Sequence, residues 1–183
     1  MKEVVFVSKN KNKAKEIVEI LKHGGIQVIH KEAELDEIQD PDVACVAKHK
    51  ALLAYTIFKM PVLVEDTGLY IATMHGYPGS LIKHFLAAIG QQGIIDFLKN
   101  KERAARAVTA FAFCEGPDKV HISKGETAGE ISIAIKGQSG FGWDPIFVPE
   151  GHEKTYAQMS MEEKNAISHR KKALEKFCEW IKG

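Results

Sequence analysis

Apolar and polar positions follow two periods along this chain, and the switches between them mark out its elements. Residues 4–7, Val-Val-Phe-Val, are β-branched or aromatic and predict a buried strand. After a polar loop, Ala14, Ile17, Val18 and Leu21 recur at threes and fours, the spacing of one helix face, and Gly24-Gly25 ends that helix. Residues 26–29 predict a second strand. Asp40-Pro41 supplies a cap followed by proline at the first helical position, opening a helix to about Phe58. Residues 62–64 predict a short strand that delivers Glu65-Asp66 at its end; 69–72 is a further apolar piece, and 76–79 a Gly/Pro turn. Ser80 is placed to cap a helix with the stripe Ile82, Phe85, Leu86 and Ile89, stopped by Gly90, and a short helix over 94–98 follows. Residues 107–114, 119–124 and 129–135 predict antiparallel strands joined by glycine turns. Ser160 with Glu163 forms a capping box for the last helix, and Ser168 offers a second start. Alternation early and clustered strands late predict a mixed α/β (α+β) sheet with helices on both faces.

Length and charge narrow the classes. The 183 residues fit one domain, 1–183. With 25 basic and 24 acidic side chains the formal charge is +1, which excludes a global polybasic binder of nucleic acid or membrane. Cys45, Cys114 and Cys178 are far apart and form no C-x-x-C pair, so buried free thiols in a reducing compartment are expected. The first apolar run is too short for a signal peptide or a membrane span. A soluble, cytoplasmic protein is the expectation.

Four polar groupings carry candidate chemistry. Ser8, Lys9, Asn10, Lys11, Asn12 and Lys13 lie between a strand and a helix N-terminus, where free N–H groups and the helix dipole favour an anion. P-loop glycine spacing is absent, and a solvated turn is the competing reading. Glu65 and Asp66, at a strand's carboxyl end, suit Mg²⁺ completed by phosphate oxygens and water. An Asp-Thr-Gly turn competes; the aspartic-protease reading needs a second copy that the chain lacks. In Gly140-Phe141-Gly142-Trp143-Asp144-Pro145, the aromatics suit base stacking and Asp144 suits a base N–H, against a plain tight turn. Arg170 falls in the stripe Ile167, Leu174, Phe177, Ile181, so its guanidinium needs a salt bridge or a ligand, with His169 and Lys164 close by.

In this order, the four groupings resemble the inosine triphosphate pyrophosphatase family, from the Ser8 loop to Arg170. The resemblance implies a two-lobed α/β fold with a cleft between lobes, usually a homodimer. It implies Mg²⁺-dependent hydrolysis of ITP, dITP and XTP to monophosphate and pyrophosphate by water attack at the α-phosphorus. It assigns Ser8, Asn10 and Lys13, within the run that includes Lys9, Lys11 and Asn12, to the phosphate loop. Glu37 matches the distal metal carboxylate, with Asp36 and Asp40 as rivals, and Lys48 and Lys83 match phosphate-facing lysines, with Lys50 a rival. Asp66 matches the metal ligand and general base, Glu65 stands beside it, and Thr67 contacts substrate. Phe141, Gly142, Trp143 and Asp144 hold the base, and Lys164, His169 and Arg170 close over it. Arg170 can only donate, so it would favour a 6-keto purine over adenine. Where the family has Thr-Gly-Asn, this chain has Ser8-Lys9-Asn10. A triphosphatase for another modified nucleotide and a non-catalytic nucleotide sensor are the alternatives.

Overall fold

β1 (Lys2–Val7) opens the described chain, which a computed structural model covers over residues 2–183. It pairs in parallel with β2 (Ile26–Lys31) through the crossover helix α1 (Lys11–His23). It meets β3 (Val62–Ile71) in parallel after α2 (Val43–Phe58). The short β4 (Pro78–Gly79) and the long β5 (Ala104–Gly116) both run antiparallel to β3. β6 (Lys119–Ile131) pairs with β5, and β7 (Phe147–Pro149) closes the far edge, giving the order β2-β1-β3-β5-β6-β7. The remaining helices are α3 (Ile82–Phe97), α4 (Met161–Ile167) and α5 (His169–Lys182). The expected mixed α/β sheet with helices on both faces is what forms.

Strand alternation sorts the core. On one face Leu63 and Phe111 pack with Ile17 and Leu21 of α1 and with Leu174 and Phe177 of α5. On the other, Val62, Val64, Ala110 and Ala112 pack against Val43, Ala47, Ala51 and Ala54 of α2. A third cluster joins Leu69 and Ile71 to Ile82, Ile94, Trp143, Phe147 and Tyr156. No helix among the described residues is long and apolar enough to cross a membrane.

The chain departs from the predicted pattern at several points. α2 begins at Val43, capped by Asp42, whose side chain accepts from the Ala44 N–H at 2.9 Å. Asp40-Pro41 is instead held as loop, because the Pro41 carbonyl accepts from Ser80 N–H at 3.0 Å and Tyr70 OH at 2.8 Å. β3 does not end at Val64; its pairing with β5 continues to Ile71, absorbing the 69–72 piece. β6 likewise runs unbroken through Gly125 and Gly129, ends at Ile131, and leaves 132–135 outside the sheet. Gly90, at φ +67°, breaks α3 into the two segments predicted. Of the three free thiols only Cys114 is buried; Cys178 is half-buried and Cys45 exposed.

Gly125 fixes where α5 can start. A Cβ there would stand 2.2 Å from the His169 carbonyl oxygen and 2.3 Å from the Ala173 nitrogen. Its bare backbone lets the first turn of α5 lie directly on β6. Ser168 breaks the last helix in two and caps α5, accepting from the Lys171 N–H at 3.2 Å.

Candidate active site

β1 touches β3 at a single register pair, Phe6 with Leu63, and stops at Val7. β4 does not join the same edge of β3 until Leu69 pairs with Gly79. Between them the sheet has a notch, and residues 65–68 of β3 stand in it. A cavity of about 710 Å³, the largest of three described, opens over this notch. Its size is within the range of small-molecule sites.

Adjacent strand residues point to opposite faces, so Glu65 and Asp66 part company. Glu65 turns to the α1/α5 face. There Arg170 holds both its oxygens, Nε to Oε2 at 3.1 Å and Nη2 to Oε1 at 3.2 Å. Lys13 Nζ lies 3.1 Å from Oε1, and Thr67 donates to the same oxygen. Burial works to raise the Glu65 pKa, but Arg170 and Lys13 overcome it and hold the carboxyl well below its ordinary 4.5. With its oxygens taken, Glu65 is not a cation ligand in this arrangement. That corrects the expectation of two neighbouring carboxylates sharing one metal.

Asp66 turns to the α2 face and meets Lys50 at 3.5 Å. Lys50 also bonds Glu37 at 2.7 Å and donates to the Glu65 carbonyl at 3.0 Å, a backbone group on the edge that β1 leaves open. Burial raises the Asp66 pKa to about 6 despite Lys50 and Lys13. For Glu37 burial is opposed by Lys50, and the net shift is downward. Both carboxylates thus reach one ammonium, a geometry that suits a shared cation. Among the described residues no three acidic, His or Cys side chains form a metal cage. A cation on Glu37 and Asp66 therefore needs outside oxygens, as Mg²⁺ normally takes. The residues fit that ion.

Lys48 does not reach the cavity. It lies on the exposed side of α2, about 200° round the helix from Lys50. Lys50 continues the inward series Val43, Ala47, Ala54, so the helical period itself marks Lys50 as the inward lysine. Lys83, Ser8, Lys9, Asn10 and Lys13 all line the cavity, as do Glu37 and Thr67; Asp66 sits behind Lys50. Asn10 caps α1, accepting from the Asn12 and Lys13 N–H groups. Lys9 pairs with Glu34 at 2.8 Å, tying the loop before α1 to the segment before α2. Lys11 pairs outward with Glu32 at 3.4 Å, and neither it nor Asn12 lines the cavity.

The opposite end is aromatic. Phe141, Gly142, Trp143, Asp144, His169 and Arg170 line it. Gln91 of α3 holds this loop by donating to the Gly142 carbonyl at 2.6 Å. Asp144 accepts from the Phe141 N–H at 2.9 Å and from Lys164 at 2.8 Å, so it shapes the loop from within. Lys164 is buried behind the wall, 4.9 Å from the Phe141 ring centre. His169 is 1 % exposed, and neither ring nitrogen has a hydrogen-bond partner among the described residues. Burial, with Arg170 and Lys164 adding to it, pushes its pKa well below 6.5, so the ring is neutral.

Glu16, on the inner side of α1, completes the network and was not anticipated. It bonds Lys164 at 3.1 Å and accepts from Arg170 Nη1. Arg170 is thereby already paired with Glu16, Glu65 and, at 3.4 Å, Thr67. The salt-bridge reading of Arg170 holds, so the guanidinium does not depend on a 6-keto oxygen for a partner.

Comparison with known proteins places the whole chain. Residues 4–180 match the model of the Ham1 family. An inosine triphosphate pyrophosphatase from Scheffersomyces stipitis is 41% identical over 99% of this chain and 98% of its own length. A dITP/XTP pyrophosphatase from Saccharolobus solfataricus is 40% identical over 96% of this chain and 91% of its own. A HAM1 protein from Coxiella burnetii superposes with a TM-score of 0.85 at 30% identity, covering 100% of this chain and 99% of that one. With a family match running almost end to end and relatives about 40% identical over nearly its whole length, the chain belongs to the Ham1 family.

Proposed function

We propose that this chain hydrolyses deaminated purine nucleoside triphosphates, ITP, dITP and XTP, to the monophosphate and pyrophosphate. The observation that carries this reading is one cavity running from lysines and carboxylates at the sheet notch to an aromatic wall with a neutral His169 whose ring is unpaired among the described residues. The pyrophosphatase names of relatives such as those from Scheffersomyces stipitis and Saccharolobus solfataricus support the reaction and the base class.

The triphosphate lies at the α1 N-terminus, where Ser8, Asn10 and Lys13 meet backbone N–H groups and the helix dipole. Lys50 and Lys83 add charge across the cleft. Lys50 swings from its carboxylates to the phosphates on its flexible stem and exposes Asp66. Mg²⁺ on Glu37 and Asp66 would offset the charge of the phosphate oxygens. Asp66, or a water it orients, takes the proton of the attacking water. Positioning and electrostatics supply most of the acceleration. The base stacks between Phe141 and Trp143, meeting His169 and the remaining Nη1 proton of Arg170.

The test is pyrophosphate release from ITP, XTP, GTP and ATP, with and without Mg²⁺. Release that depends on Mg²⁺ and strongly favours ITP and XTP is expected. Equal turnover of ATP would refute the base assignment, and no release from any of the four would refute the proposed reaction and leave a sensor or another modified nucleotide as the readings.

A further inference from the structure

Ser80 stands where the residue pattern predicts a helix cap, yet it caps nothing. α3 starts after Leu81 with no side-chain cap. The Ser80 hydroxyl instead donates to Oδ2 of Asp66. Its backbone is fixed from two directions: its N–H donates to the Pro41 carbonyl at 3.0 Å, and the preceding Gly79 pairs with Leu69 of β3. A Cβ on Gly79, at φ +59°, would stand 2.3 Å from the Pro41 oxygen, so this turn packs without slack.

We propose that Ser80 is a positioning residue for the reaction. It clamps Oδ2 of Asp66 so that Oδ1, the oxygen facing Lys50, is the one presented to the cleft. The inference rests on the reading of Asp66 given under the proposed function. The terminal torsion of an aspartate is broad, so a carboxylate without a fixed partner samples many orientations. An O–H···O⁻ bond from a rigid turn removes that freedom before substrate arrives. The same turn joins α3, which carries Lys83, to β3, so the phosphate-facing lysine and the base share one frame.

The experiment compares wild type, Ser80→Ala, Ser80→Thr and Asp66→Asn in pyrophosphate release from ITP with Mg²⁺, with melting curves for each. Ser80→Ala is expected to lower kcat about tenfold, as loss of an orienting partner commonly does. KM should stay within about twofold, because Ser80 itself does not line the cavity. Ser80→Thr keeps the hydroxyl and should recover kcat to within about threefold of wild type. A kcat for Ser80→Ala within about twofold of wild type, beside an inactive Asp66→Asn, would overturn the role of Ser80 alone. A Thr variant as impaired as the Ala variant, with an unchanged melting curve, would do the same. Near-wild-type turnover by Asp66→Asn would instead overturn the assignment of Asp66, and the clamp with it.

Discussion

Replacing Arg170 with methionine tests the charge arrangement at its centre. Arg170 is 1 % exposed, and its guanidinium bonds both oxygens of Glu65 and one of Glu16. Methionine keeps much of the apolar volume and removes the charge. Glu65 is left with Lys13 at 3.1 Å, and Glu16 with Lys164 at 3.1 Å. Breaking a buried pair from one side costs about 3–5 kcal/mol, and those two surviving lysines place the expectation near the lower end. At roughly 2–4 °C per kcal/mol for a chain of this size, the melting temperature should drop by about 6–12 °C at pH 7. The sign with pH follows from Glu65. Its folded pKa is depressed below 4.5, so it contributes stability above pH 4.5 that is lost as pH falls through the folded value. Without Arg170 the largest influence that lowers the Glu65 pKa is gone and burial is opposed only by Lys13 and Thr67, so that pKa rises. The variant's deficit should therefore be largest at neutral pH and narrow towards pH ~4. Thermal unfolding of both proteins by circular dichroism between pH ~4 and 8 reads this directly. A deficit under about 3 °C at pH 7, or one that does not narrow in acid, would refute the view that Arg170 neutralises these carboxylates.

Two further outcomes follow from geometry. Lys50→Ala should lower kcat/KM for ITP roughly 10–100-fold, while Lys48→Ala stays within about twofold, in steady-state pyrophosphate release; the reverse order would return Lys48 to the site. Gly125→Ala forces a Cβ to within 2.2 Å of the His169 carbonyl oxygen. Overpacking of this kind costs about 1–3 kcal/mol, so the melting point should fall by about 2–12 °C. Turnover of ITP should fall with it, because His169 is displaced.

The elements with a strong period were legible in the residues, and so were the four polar groupings that line or back one cavity. What escaped was set by partners distant in sequence. Val62-Leu63-Val64 reads as a short strand because Glu65, Asp66 and Thr67 look like loop, yet pairing with β5 carries β3 through them. Glu65 and Asp66 look like one site until β3 is known to include both and alternation separates them. Asp42 outcompetes Asp40 as cap because the Pro41 carbonyl is occupied by Tyr70 and Ser80 from other elements. Lys50 was within reach of periodicity, since it continues the α2 stripe that Lys48 leaves. Glu16 was not, because a lone acid on a helix looks solvated until the buried Lys164 and Arg170 are seen against it.

The notch has a consequence for how this architecture accommodates change. The two acids are carried by a middle strand bonded to β5 along its whole length, and their separation is fixed by one peptide unit. The chain over 137–143, which lies outside helices and strands and carries none of the acids, borders the base end of the same cavity. Insertions or exchanges there reshape the base wall while the spacing of the acids stays constant. Reaction chemistry and choice of base are thus written on different parts of the chain, so either is open to alteration with little effect on the other.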